Sequence, residues 1–256
     1  AVGAGHLHRL HRPGDSVVHT LPPQVKLVAL FTFVIVVVLT PREQMWAFAL
    51  YALLILGVVL LAGLSPLLVL KRMAVEIPFV IFAVLLPFIA EGPTTEIAGL
   101  TLSIEGLWGA WNILIKGSLG VAASVVLAAT TDPRALLLGL ERLKMPPIMV
   151  HIATFMLRYF EVVFGEMQRM KVARESRGFQ AKHLGHVRVL AHSAGALFIR
   201  SYERGERVHL AMLSRGYNGS IPSLGEAPAL RRDWAVAATL PVLAACIATI
   251  AWMMTW

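Results

Sequence analysis

The chain has 256 residues, 57% of them apolar and only 15% charged, with a mean hydropathy of +0.70. A soluble domain carries about 45–50% apolar and about 25% charged residues, so this composition excludes a water-soluble globule and calls for a bilayer. The net charge of +8 is local: residues 134–215 hold 14 Lys/Arg against 6 Asp/Glu, and the rest of the chain balances.

Residues 1–24 read as a surface arm, punctuated by Pro13-Gly14-Asp15 and Pro22-Pro23. The arm carries Arg9, Arg12 and four histidines with no apolar core behind them, which is not a cleavable signal peptide. His6, His8 and His11 invite a metal, but their spacing matches no ligand pattern, and a surface arm explains them as well. The first apolar run is Val25 to Leu39, with Lys26 expected to snorkel to the headgroups. Thr40-Pro41-Arg42-Glu43 makes a tight turn, and Met45 to Leu64 is the second span. Ser65-Pro66 opens a short connector ending at Lys71-Arg72. Arg72 and Glu76 are spaced for a local helical pair at the start of the third run, Ile77 to Ala90. That run contains Pro78 and Pro87, which membrane helices tolerate when neighbours satisfy the freed carbonyls.

Residues 91–105 read as a loop with three Glu and no Lys or Arg. Leu107 to Ala129 is the fourth span, with Trp108 and Trp111 as interface anchors. Lys116 lies at its middle, where a charge is costly and by default a functional candidate; Asn112, one turn earlier, is its expected partner. The plainer alternative is a lysine facing the bundle interior or another subunit. The last span is Trp234 to Trp256, introduced by Arg231-Arg232 and softened at Pro241. Cys246 lies in this run. A lone cysteine excludes an internal disulfide and a Cys-based metal site, and it is expected to be a small buried hydrophobe.

The fold class expected is therefore all-α: a polytopic membrane protein with about five transmembrane helices and a segment of long amphipathic helices. The division is an arm (1–24), four spans (25–130), a basic segment (131–230) and a last span (231–256). Positive-inside charge puts the N-terminus and the basic segment in the cytoplasm and the C-terminus outside. The basic segment lacks a helix-turn-helix pattern or an aromatic-interleaved groove, so nucleic acid is not its partner.

Within that segment Asp132-Pro133 starts a short helix to Lys144, which Met145-Pro146-Pro147 ends. From Ile148 an apolar stripe recurs at Ile152, Phe155, Met156, Tyr159, Val163, Met167 and Met170, the period of a helix. This helix stops at Gly178, and a second, from about Val189 to Arg215, stops at Gly216. Each end carries the same phrase: Ser176-Arg177-Gly178-Phe179 and Ser214-Arg215-Gly216-Tyr217. The plain reading is a helix C-terminus, with a cation for the macrodipole and glycine for the left-handed residue. Capping does not require the serine or the aromatic. The sharper reading has each arginine projecting into an acidic groove of a partner, work that suits its planar, always-charged fork.

The stretches TTDPRALLLGLERLKMPP, MLRYFEVVFGEMQRMKVARESRGF and RSYERGERVHLAMLSRGY resemble the transmembrane T component of energy-coupling-factor (ECF) transporters, in the cobalt-type, CbiQ-like branch. The resemblance covers nearly the whole chain, including LKRMAVEIPFVIFAVLLPF and GLWGAWNILIKGSLGVAASVVLAATT. It implies a scaffold in the bacterial inner membrane that joins a substrate-binding membrane (S) component, with a small accessory membrane subunit, to two cytoplasmic ATPases. Ser176, Arg177 and Gly178 would dock one ATPase, and Ser214, Arg215 and Gly216 the other. It further implies that ATP and Mg lie on those partners, that cobalt is the substrate, and that this chain binds no cofactor. The residues agree on one point: no Gly-x-x-x-x-Gly-Lys-[Ser/Thr] phosphate loop occurs, so the chain does not hydrolyse ATP alone. A secondary transporter or channel with a basic cytoplasmic domain is the rival. It lacks support from an inverted repeat or paired intramembrane carboxylates. A membrane enzyme built on Lys116 has no motif behind it.

Overall fold

The structure is a computed structural model that describes residues 14, 16–90, 93–97, 100–179, 187–219 and 229–254, with only the backbone of 94–97 and 100–102. His6, His8, His11, Arg9, Arg12, Asp15, Lys182, His183, His186 and Trp256 lie outside the described residues. The described chain is helical apart from one hairpin, as the apolar periodicity requires. Two compact units divide it, one built on residues 10–139 and 227–256, the other on 140–226.

The first unit holds the apolar helices. A short helix α1 (Val17–Thr20) precedes α2 (Pro23–Leu39) and α3 (Met45–Leu61). The expected connector at 65–72 is itself helix: α4 (Pro66–Arg72) runs through a 3-10 turn, Met73–Glu76, into α5 (Ile77–Ile89). Pro66 and Pro78 sit in first turns, where a missing N–H costs nothing, so neither proline interrupts the run. The third span thus begins eleven residues earlier than its continuous apolar stretch (Pro66 rather than Ile77), and the whole Pro66–Ile89 segment is long enough to cross a bilayer.

The acidic loop contains an antiparallel hairpin, β1 (Thr94–Ile97) and β2 (Leu100–Ser103), paired Thr94↔Ser103 through Ile97↔Leu100. Then α6 (Ile104–Thr130) starts on a Ser103 cap, whose Oγ accepts from the Gly106 N–H at 3.3 Å. The last apolar helix is α10 (Arg231–Met253), with Pro241 buried inside it.

The core of this unit forms around Tyr51 of α3, wholly buried with Phe33 and Phe48 edge-on to its ring at 6.0 and 6.1 Å. A buried hydroxyl needs partners; that of Tyr51 meets Thr40 Oγ1 at 2.9 Å and donates to the Ala244 carbonyl at 3.3 Å. Small residues bring α10 close to α2: Ala237, Ala244 and Ala251 recur every seven residues and are all buried. Cys246 lies off that seam and is exposed, which corrects the expectation that it is buried.

The helices α5 and α6 meet at two glycines. A Cβ on Gly106 would lie 2.7 Å from the Leu86 oxygen and the Pro87 Cα, and one on Gly117 would lie 2.8 Å from Glu76 Oε1. The Glu76 carboxylate is buried there, with Ser118 Oγ at 3.0 Å from each oxygen.

Helix α7 (Pro133–Arg142) starts as its sequence demands, the Arg134 N–H donating to Asp132 Oδ1 at 2.7 Å. The second unit is built on two long helices, α8 (Pro147–Ser176) and α9 (Val187–Leu213). The first half of α8 is apolar enough, by length and composition alone, to count with α4–α5, α6 and α10 among helices that could cross a membrane.

Candidate functional site: two matched helix ends

The twin phrases fold identically. After Ser176 the Gly178 N–H donates to the Glu175 carbonyl at 3.0 Å and the Phe179 N–H to that of Arg174 at 3.1 Å, with Gly178 at φ +77°. After Ser214 the Gly216 N–H donates to the Leu213 carbonyl at 3.0 Å and the Tyr217 N–H to that of Met212 at 3.0 Å, with Gly216 at φ +84°. Both are Schellman caps, in which glycine supplies the left-handed residue. The serines match too. Ser176 Oγ donates to the Ala173 carbonyl at 3.1 Å, and Ser214 Oγ to that of Ala211 at 3.0 Å.

The capping reading is therefore correct for Gly178 and Gly216, and it assigns the arginines only a favourable interaction with the helix dipole. Arg177 and Arg215 occupy the same cap position, both exposed, each beside a half-buried aromatic. Among the described residues no ion pair engages either guanidinium. Each helix thus presents a bidentate-capable cation that pairs with no described residue.

Upstream on α8, Arg169 is paired. Glu166 accepts from Arg169 at 3.0 Å and, across to α9, from Arg200 at 2.8 Å; Arg204 of α9 is 4.0 Å away. Those bonds, first from Arg169 and then from Arg200, hold its carboxyl below the usual carboxylate range. A lowered carboxyl contributes stability that is complete above its unfolded value of about 4.3 and is lost only as pH falls through the folded value. The cluster keeps its charge throughout the neutral range.

Lys116 and Asn112 do not pair. Lys116 Nζ donates to the Val38 carbonyl at the end of α2 at 2.8 Å and sits 5.9 Å from the Phe48 ring centre. Asn112 Oδ1 and the neighbouring Trp111 Nε1 are buried without a hydrogen-bond partner among the described residues. Nor does Lys26 snorkel: it is buried and donates to the carbonyls of His19 and Thr130 at 3.1 and 3.2 Å. The spacing of Glu76 from Arg72 suggested a local pair and not its contact with Ser118 on α6. Glu166 was legible only as an acid among bases on the polar face of α8.

The family model described as "CbiQ: Cobalt transport protein" matches residues 14–224. The chain belongs to the CbiQ family. The energy-coupling factor transporter transmembrane protein EcfT of Lactococcus lactis is 27% identical over 221 residues, 81% of this chain and 82% of that protein. The protein of the same name in Bacillus subtilis is 29% identical over 221 residues, 81% and 83%. An uncharacterized protein of Methanocaldococcus jannaschii is 36% identical over 115 residues, where this chain spans 43% of its length. The CbiQ chain is a polytopic, all-α transmembrane component of the ECF transporter class.

Proposed function

We propose that this CbiQ-family chain is the scaffold and energy-coupling subunit of an ATP-driven uptake system for cobalt ions. It links a substrate-binding membrane subunit to two cytoplasmic ATPases, one docked at Arg177 and the other at Arg215. ATP and Mg are held by those partners, and this chain supplies no catalytic group. The observation that carries the reading is the duplicated helix end: same cap, same serine bond, same exposed arginine without a partner. Two equivalent docking elements suit a motor of two equivalent subunits. Cobalt as cargo is supported by the description of the family model.

The test is co-purification and uptake. Arg177→Glu with Arg215→Glu places two acids where an acidic groove is expected. Loss of a buried charge pair at an interface costs about 2–5 kcal/mol, enough to release both ATPases and abolish cobalt uptake. Arg→Lys at both sites is expected to fall between, because an ammonium lacks the bidentate fork. Intact assembly and uptake in the double Glu variant would falsify the docking role. Uptake of nickel but not cobalt by the unsubstituted complex would overturn the cargo.

A further inference from the structure

We propose that Glu166 is a positioning residue that fixes the crossing of α8 and α9, and with it the separation of the two docking arginines. This rests on the docking reading of Arg177 and Arg215. No residue of α9 is buried, and α8 buries only Val150 and His151, in its first turn. Apolar residues beside the cluster, such as Val163 and Phe164 on α8 and Leu197 and Val208 on α9, are only half-buried. The specific polar contacts are charged: among the described residues, Glu166 makes the only hydrogen bonds and ion pairs between α8 and α9, with Arg200 at 2.8 Å and Arg204 at 4.0 Å.

The placement suits a pivot. Arg177 lies eleven residues beyond Glu166, and Arg215 fifteen beyond Arg200 and eleven beyond Arg204. At 1.5 Å per residue the arms reach about 16–22 Å from the contact to each arginine. A small rotation at the pivot is magnified at both tips. Glu166 is also built to hold: its side chain is only 17% exposed, and Arg169 of its own helix braces the carboxylate from the other side at 3.0 Å. Glutamine in its place would keep the shape and one acceptor but lose the charge that draws in both helices' arginines.

The experiment reads the arms directly, on the full-length chain in nanodiscs. Spin labels are placed at Val172→Cys and Leu210→Cys, both exposed and outside the cluster, in a Cys246→Ser background. Pulsed electron–electron distance measurements are expected to give one narrow distribution. Glu166→Gln is expected to shift and broaden it, and so is Arg200→Gln, which removes the hydrogen-bonding partner on α9 instead. Arg200 is more than half exposed, so its substitution leaves the fold in place and a Glu166 variant that fails to fold does not decide the matter. A distribution unchanged both by Glu166→Gln and by Arg200→Gln would overturn the proposal. In the assembled transporter, Glu166→Gln is expected to retain both ATPases while transport per ATP hydrolysed falls below that of the parent. Full coupling in that variant would overturn it equally. The distance measurement requires no ATPase, so failure of the docking reading would show in the co-purification assay and not here.

Discussion

Two lysines show what a single side chain does in this bundle. Lys26 and Lys116 lie on antiparallel helices, and each reaches the C-terminal end of the other's: Lys26 on α2 to the Thr130 carbonyl of α6, Lys116 on α6 to the Val38 carbonyl of α2. A helix end leaves four carbonyls without intrahelical donors, and hydrocarbon offers no water to replace them. At the end of α2 all four are met: Val36 and Val37 by the Thr40 N–H, Val38 by Lys116, and Leu39 by the Trp252 indole at 3.2 Å. A cation is also favoured there by the helix dipole. The sequence reading found Lys116 as an intramembrane charge but gave it the wrong partner. Spacing along a helix identifies neighbours one turn away, whereas the Val38 carbonyl arrives only through packing. Lys116→Met is expected to lower stability by about 0.5–1.5 kcal/mol, the net contribution of one hydrogen bond. Thermal unfolding in detergent checks this; a midpoint unchanged from the parent would show that the carbonyl finds another donor. ATPase docking at Arg177 and Arg215 should be unaffected.

At the scale of the element, most of the helices were legible, because a 3.6-residue apolar period in an otherwise polar segment has few other interpretations. Helices α8 and α9 begin and end within two residues of the stretch their pattern marks. The α4–α5 run was not legible in full. Its Ser-Pro start and Lys71-Arg72 pair look like a connector, and what marks it as one run is its packing against α6, including the contact of Glu76 with Ser118. Glycines report where that packing is tightest. Gly106 has no room for a methyl group beside Leu86 and Pro87, whereas Gly120 of the same helix has nothing within 4 Å. Alanine at Gly120 is expected to stabilise α6 by about 0.5–1 kcal/mol through helix propensity alone. The same change at Gly106 meets backbone atoms and is expected to destabilise by about 1–3 kcal/mol. Opposite signs for chemically identical substitutions, read from melting midpoints, are the measurement. Equal shifts would mean that α5 and α6 do not approach closely at Gly106.

For the whole molecule the open choice is how many helices cross the bilayer, because α8 is apolar enough in its first half to be counted. Charge decides it. With α8 as a sixth span, the stretch 177–230 would lie outside the cell. It would carry Arg177, Lys182, Arg188, Arg200, Arg204, Arg207 and Arg215, against two acids at Glu203 and Glu206 up to that last arginine. Lys and Arg in loops of fewer than about 60 residues set orientation strongly toward the cytoplasm, so six spans run against the largest charge bias in the chain. Five spans would keep Arg177 and Arg215, the arginines proposed to dock the ATPases, on the side where ATP is available, and they predict the end of α10 outside. The exposed apolar residues Ile148, Met149, Ile152 and Met156 then call for a cover other than a full crossing, such as the bilayer edge or a membrane partner. The prediction is a labelling pattern in intact cells, using a Cys246→Ser background and a membrane-impermeant thiol reagent. A cysteine at Met254 is expected to react from outside; one at Asn218 is expected to react only after the membrane is opened. The reverse pattern would make α8 a span, and it would remove Arg177 and Arg215 from any cytoplasmic motor.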